Sequence, residues 1–196
     1  MSILLFDDPA CVFIRIGKTG STSVVKGLFG GARNASVIST DGRWQKDFEG
    51  FFTFAFVRNP FDRLGSCLRM FRQAPAKDEN DAQMRRSLTL DVLMDILEEP
   101  PPREEIGLRT KIRGHSLPMS TPGLHLDRCD FLGRFECFER DYRQLASRLG
   151  IVVAAVPHER STGSQDYRTL FSPAQRARAE RIYTEDLARF GYRFDA

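Results

Sequence analysis

No stretch of this 196-residue chain is long and apolar enough to span a membrane or to serve as the core of a secretory leader. The N-terminus offers only Ile3-Leu4-Leu5-Phe6 before Asp7-Asp8-Pro9, so a cytoplasmic, bacterial location without a membrane span is the expectation. Cysteine is sparse: Cys11, Cys67, Cys129 and Cys137 form no C-x-x-C pair, which points to reduced, structural thiols rather than a zinc ribbon or a disulfide framework. His115 and His125 stand ten residues apart and the acidic residues show no ligand spacing, so no metal is expected. Charge of one sign is lacking too. The 29 basic and 26 acidic residues leave a net charge of +3 without a long basic run, which argues against nonspecific nucleic-acid binding. There is no internal repeat or low-complexity tract.

One more absence is chemical. The loop that cradles a nucleoside triphosphate needs a glycine six residues before its lysine, and the residue six before Lys18 is Val12, inside an apolar run. What stands there instead is a shorter pattern. Phe13-Ile14-Arg15-Ile16 gives way to Gly17-Lys18-Thr19-Gly20-Ser21-Thr22-Ser23 and then to Val24-Val25-Lys26-Gly27-Leu28, which reads as strand, small anion-binding loop and helix. Small residues let backbone N–H groups turn toward an anion, the helix N-terminus adds its unpaired donors, and Lys18 adds a mobile positive charge. A plain turn between a buried strand and a helix uses the same residue types, so a second signal is needed.

Phe52-Thr53-Phe54-Ala55-Phe56-Val57 supplies it as a second apolar run, ending in Arg58-Asn59-Pro60-Phe61-Asp62-Arg63-Leu64-Gly65-Ser66. Asn59 suits an N-cap, Pro60 the first helical position and Asp62 the first turn, so a helix start is well specified. Arg58 sits at the strand's end with a planar fork for a phosphate, and Ser66 lies about two turns into the helix with a hydroxyl. The competing use of Arg58 is a surface ion pair with Asp62.

Together these segments resemble the two cofactor signatures of sulfotransferases that use 3′-phosphoadenosine 5′-phosphosulfate (PAPS). The resemblance assigns Lys18, Thr19, Gly20, Ser21, Thr22 and Ser23 to the 5′-phosphosulfate and Arg58 with Ser66 to the 3′-phosphate. It continues through Asp130-Phe131-Leu132-Gly133-Arg134-Phe135-Glu136, Asp141-Tyr142, Tyr183-Thr184-Glu185-Asp186-Leu187 and Phe190-Gly191-Tyr192-Arg193-Phe194, the layout of the carbohydrate-type, family 2-like group, over nearly the whole chain. The family usually has His, Pro and Gly where this chain has Arg15, Gly17 and Ser21, so those positions bear on cofactor affinity. The implied fold is α/β, a P-loop-NTPase-like three-layer arrangement with a central parallel sheet.

The length and the 41% hydrophobic content suit one enzyme domain over residues 1–196. Strand and helix signals alternate, as in a doubly wound sheet. Residues 32–50 are polar around the single tryptophan, Trp44, which is suited either to stacking on a sugar or to packing. Residues 73–87 read as a charged excursion with a lid as one use, and Thr89 caps a helix that Pro100-Pro101-Pro102 ends. Residues 103–128 read as irregular, 131–135 as a strand and 138–149 as a helix. Residues 151–156 read as a buried strand, and Ser172 with Pro173 opens a last helix that Gly191 closes.

Sulfonyl transfer asks for charge neutralisation at the sulfonate, stabilisation of the departing phosphate and removal of the acceptor's proton. Lys18 suits the first two tasks. For the base, His115 precedes the Phe131–Phe135 run and its imidazole class titrates near neutrality, while Glu136 at the end of that run is the rival. Surface roles, a loop histidine and an ion pair to Arg134 or Arg140, are the alternatives. The expected partners are PAPS, its product 3′-phosphoadenosine 5′-phosphate, and a hydroxyl-bearing carbohydrate acceptor. A nucleotide-dependent kinase and a noncatalytic binder of the bisphosphonucleotide are the competing classes.

Overall fold

The computed structural model describes residues 2–40, 43–100, 107–157 and 166–195. The chain divides into two compact units, Met1–Arg58 with Met119–Arg160 and Asn59–Pro118 with Ser161–Ala196.

The first unit is built on five strands: β1 (Ser2–Asp7), β2 (Ala10–Arg15), β3 (Val37–Ser39), β4 (Phe52–Val57) and β5 (Phe131–Arg134), in the order β3-β1-β2-β4-β5. β2, β4 and β5 run parallel, so the sheet is parallel at its centre and at one edge, as the resemblance implies. β1 is an addition. The Ile3–Phe6 run, weighed in the sequence only as a leader, forms a strand antiparallel to β2 through a hairpin in which Asp7 faces Ala10, and β3 pairs antiparallel on its other side.

Phe13 and Phe54 face each other in register and stack at 4.7 Å. With Leu4, Phe6, Phe56 and Phe131 they pack against α1 (Ser21–Phe29) and α6 (Phe138–Arg148). The alternate residues Ile3, Leu5, Val12, Ile14, Ala55 and Val57 are buried as well. Burial of both faces explains why these strands read as continuous apolar runs, each large side chain contributing about 1.5–3 kcal/mol. Residues 151–156 correct the sequence reading. Gly150, at φ +70°, ends α6 in a reverse turn with Ile151 N–H on the Ala146 carbonyl and Gly150 N–H on that of Ser147. The run then continues as a loop whose Ile151, Val153 and Val156 lie against the core while Val152 is 98% exposed, so no strand forms.

The second unit is helical: α2 (Pro60–Gln73), α3 (Glu79–Ser87), α4 (Leu90–Glu98), α5 (Leu108–Ser116), α7 (Pro173–Ile182) and α8 (Thr184–Phe190). Phe61, Leu64, Leu93, Ile96, Ile112 and Tyr183 form its core. α3 replaces the expected excursion. It buries no residue and is held by the Asp78 side chain accepting from Asp81 N–H, by the Asp81–Arg85 pair at 2.8 Å and by Arg85 Nη1 donating to the Phe71 carbonyl of α2 at 3.0 Å. α5 likewise corrects the irregular reading of 103–128, of which 103–106 lie outside the described residues. Thr89 and the Ser172–Gln175 capping box open α4 and α7 as expected, but the last helix is broken at Tyr183 into two. Among the described residues, no helix is long and apolar enough to cross a membrane.

Candidate functional site

β2 delivers the chain into a loop whose backbone turns twice through the left-handed region, at Lys18 (φ +68°) and Gly20 (φ +79°). A lysine in that region costs about 1–2 kcal/mol, so its conformation must be held from outside. The Thr19 hydroxyl closes the loop from within by donating to the Ile16 carbonyl at 3.0 Å, and Thr19 is fully buried. Its hydroxyl is thus committed to the loop, which leaves its N–H as the group suited to a ligand. Gly20 is the N-cap of α1 and brings no capping side chain, and the first turn holds no acidic residue. The first turn of α1 thus brings no carboxylate of its own to the unpaired donors and positive dipole end of the helix. A Cβ on Gly20 would come within 2.7 Å of Phe138 and 3.3 Å of Phe135, so the turn needs glycine for space as well as for φ. Ser21 and Ser23 are buried in the first turn and Thr22 is half-buried.

The parallel register sets Ile14 beside Ala55 and Val57 beside Arg134, so Arg58 leaves β4 next to the loop and one residue from Phe135. Arg58 is 8% exposed, donates from Nη1 to the Lys18 carbonyl at 3.0 Å, and lies over the Phe135 ring at 4.0 Å. Arg58 is thus buried rather than exposed at the surface. Asp62, in the second unit, faces Arg69 at 3.9 Å.

Glu136 lies in the 3₁₀ turn Phe135–Cys137 and is exposed. The turn is fixed by Asp141, which accepts from Arg134 N–H and from Arg140 Nε, each at 2.7 Å. That bond and the charge of Asp141 raise the pKa of Arg140. Tyr142, the other half of the shared motif, is a core residue whose phenol is pushed up by burial.

In the second unit, Asn59 caps α2 by accepting from Phe61 N–H, and its amide donates to the Arg193 carbonyl at 2.9 Å and to Tyr167 Oη at 3.3 Å. Tyr167 in turn donates to the Phe194 carbonyl at 2.6 Å. The terminal Phe-Gly-Tyr-Arg-Phe motif is thus tied to the head of α2. Ser66 is 2% exposed on α2. His115 is in the last turn of α5, its ring edge-on to Phe71 with centroids 5.6 Å apart.

Sequence reasoning missed Arg63. It is 2% exposed, and its guanidinium donates to the carbonyls of His115 and Leu117, both at 2.8 Å, while Tyr183 Oη donates to that of Ser116 at 2.7 Å. Burial pushes the Tyr183 phenol up, which keeps it a donor. Helical spacing held the clue, because Arg63 and the buried Cys67 are four apart on one stripe of α2.

Trp44 packs edge-on to Phe48 with ring centroids 5.4 Å apart. Its indole N–H donates to Glu49 at 3.0 Å, and the Arg128 guanidinium covers its ring at 4.6 Å. These residues line an open cavity of about 550 Å³ with Phe52, Thr53 and Asp130, at the N-terminal end of β4 and so at the far end of that strand from Arg58. The loop, Arg58 and the α1 N-terminus gather instead at the C-terminal ends of the parallel strands, where ligands bind in open α/β sheets.

A family model described as "Sulfotransferase family" matches residues 2–193, across both compact units. No curated protein and no solved structure gives a significant match to the chain.

Proposed function

The chain belongs to the sulfotransferase family, and from that premise we propose that it transfers a sulfonate from PAPS to a hydroxyl of a carbohydrate or glycoconjugate. The observation that carries the PAPS reading is the loop itself: two left-handed turns leading into an α1 N-terminus without a capping side chain, with Arg58 against the Lys18 carbonyl. The donor set fits an anionic cofactor. Lys18, the N–H groups of Thr19 to Thr22, and the hydroxyls of Ser21, Thr22 and Ser23 would hold the 5′-phosphosulfate, and Arg58 with Ser66 the 3′-phosphate. We read both units as one sulfotransferase domain, since the family match runs through each, and place it in the cytoplasm. Val12, wholly buried in β2 and paired with Thr53, supports this reading over a kinase, because no long triphosphate loop precedes Lys18.

Bound there, PAPS supplies the sulfonate and a phosphate leaving group. The chain's own part is electrostatic. The Lys18 ammonium sits on a flexible stem and can follow negative charge as it moves, while the N–H groups of the first turn of α1 remain fixed and need no reorganisation. His115 takes the proton from the acceptor hydroxyl, with Glu136 as the rival for that role.

The test is a transfer assay with radiolabelled sulfonate on the cofactor and pools of glycans, glycolipids and small alcohols as acceptors. Label in a glycan pool that disappears with Lys18→Met supports the reading. Binding of 3′-phosphoadenosine 5′-phosphate with no transfer to any pool favours the noncatalytic module, and displacement of that nucleotide by ATP at equal concentration favours the kinase.

A further inference from the structure

We propose that Phe135 is a positioning residue for the cofactor loop: its ring is the platform that holds the Arg58 guanidinium against the Lys18 carbonyl, and so sets the loop's left-handed bend. The inference rests on the reading of that loop as the cofactor site.

Three observations converge on this ring. The Arg58 guanidinium carbon lies over it at 4.0 Å from the centroid while Nη1 of the same group reaches the Lys18 carbonyl at 3.0 Å. The ring also neighbours the loop, since a Cβ built on Gly20 would stand 3.3 Å from it, and it lies 6.1 Å from the Phe138 ring. The turn bearing Phe135 is itself anchored by Asp141 on the Arg134 N–H at 2.7 Å, so the platform is fixed from below.

The placement is not that of a core filler. Phe135 is half-buried, lies in a 3₁₀ turn, and stands outside the cluster that joins the sheet to α1 and α6. Besides the Phe138 ring, it meets the Arg58 guanidinium and the Gly20 turn. An arginine side chain loses much rotamer freedom when one nitrogen is held at a single carbonyl, and a flat aromatic face lowers that cost by restricting the guanidinium to one plane. A left-handed lysine returns readily to an ordinary conformation once its carbonyl is released. The chain of contact is therefore ring, guanidinium, carbonyl, loop. It links the strand end assigned to the 3′-phosphate with the loop assigned to the 5′-phosphosulfate. Lysine at position 58 would not serve, because an ammonium has no plane to stack.

The experiment is a double-substitution cycle on the full chain, read by calorimetric titration with 3′-phosphoadenosine 5′-phosphate and by amide hydrogen exchange of residues 16–24 in the free protein. Phe135→Leu is expected to weaken binding about five- to tenfold, between the values of an exposed and a desolvated cation–π contact, as suits a half-buried ring. In the Arg58→Ala background the same change is expected to cost less than about twofold, because the platform then has nothing to hold. Phe135→Tyr keeps the face and retains affinity. In the free protein, the loop amides exchange faster in Phe135→Leu and in Arg58→Ala, with unfolding temperatures unchanged. An equal loss of affinity in both backgrounds, or loop exchange that Phe135→Leu leaves untouched, overturns the proposal. If the unsubstituted protein binds no bisphosphonucleotide, the cofactor reading fails by itself, and the exchange data alone then decide the role of Phe135.

Discussion

Arg63 Nη2 donates to the His115 carbonyl at 2.8 Å, and its Nη1 donates to that of Leu117 at the same distance. The C-terminus of α5 thus ends on a buried cation, which satisfies carbonyls that a helix leaves open and suits the negative end of its dipole. Removing it would take the guanidinium from both carbonyls, leaving that of His115 with the weaker Cys67 thiol at 3.3 Å. Arg63→Ala should cost about 2–4 kcal/mol in urea denaturation, well above a surface substitution. Arg63→Lys should recover part of this, since one ammonium reaches fewer carbonyls than a fork. A change below about 0.5 kcal/mol would show that the cap is dispensable.

His115 is the proposed base, and it is carried on that same clamped turn. His115→Ala should lower kcat by about 10²- to 10⁴-fold and leave affinity for 3′-phosphoadenosine 5′-phosphate within about twofold. The rate profile should also lose its acidic limb. Near-full activity in His115→Ala, with activity abolished in a folded Glu136→Gln, would transfer the role to Glu136.

Lys18 and Arg58 should separate under kinetics, although they touch. Lys18→Met should lower kcat by about 10²-fold or more and weaken product binding by less than about tenfold, because its charge matters most as the leaving phosphate gains negative charge. Arg58→Ala should act on both, weakening product binding more than Lys18→Met does, because it serves the 3′-phosphate and also holds the Lys18 carbonyl. Product binding unaffected by Arg58→Ala would contradict both assignments.

Cys11 supplies a pH test of the sheet. It is fully buried in β2, and burial pushes its thiol from 9.0 up to about 12. The folded state therefore holds this proton where the unfolded chain has released it. Its contribution is complete below pH 9.0 and is lost as pH rises toward about 12, with a slope of up to about 1.4 kcal/mol per pH unit. Cys11→Ala should be less stable at neutral pH but should lose less stability between pH 9 and 11. Parallel curves for the two proteins would refute the assignment.

The local chemistry of both signatures was legible in the sequence because it is written in short-range rules: small residues before a helix, and Asn59-Pro60 at another. β1 was missed because Ile3–Phe6 is short, and it is pairing with β2 and β3 that makes it a strand. α3 was missed because it has no apolar face, its stability coming from a cap and ion pairs. Residues 151–156 misled in the opposite direction, since a β-branched apolar run takes its conformation from where Gly150 aims it. The roles of Phe135 and Arg63 depend on contacts across 77 and more than 50 residues of chain; spacing on α2 marks Arg63 as buried but does not name its partners, and nothing local marks Phe135.

The central claim is that the site is built for a nucleotide with phosphates at both ends, and calorimetric titration of the full chain with 3′-phosphoadenosine 5′-phosphate against AMP tests it without needing an acceptor. The bisphosphate should bind at least about tenfold tighter, equivalent to about 1.4 kcal/mol from the second phosphate, and Arg58→Ala should erase most of that difference. AMP binding as tightly as the bisphosphate, with Arg58→Ala weakening both equally, would contradict it.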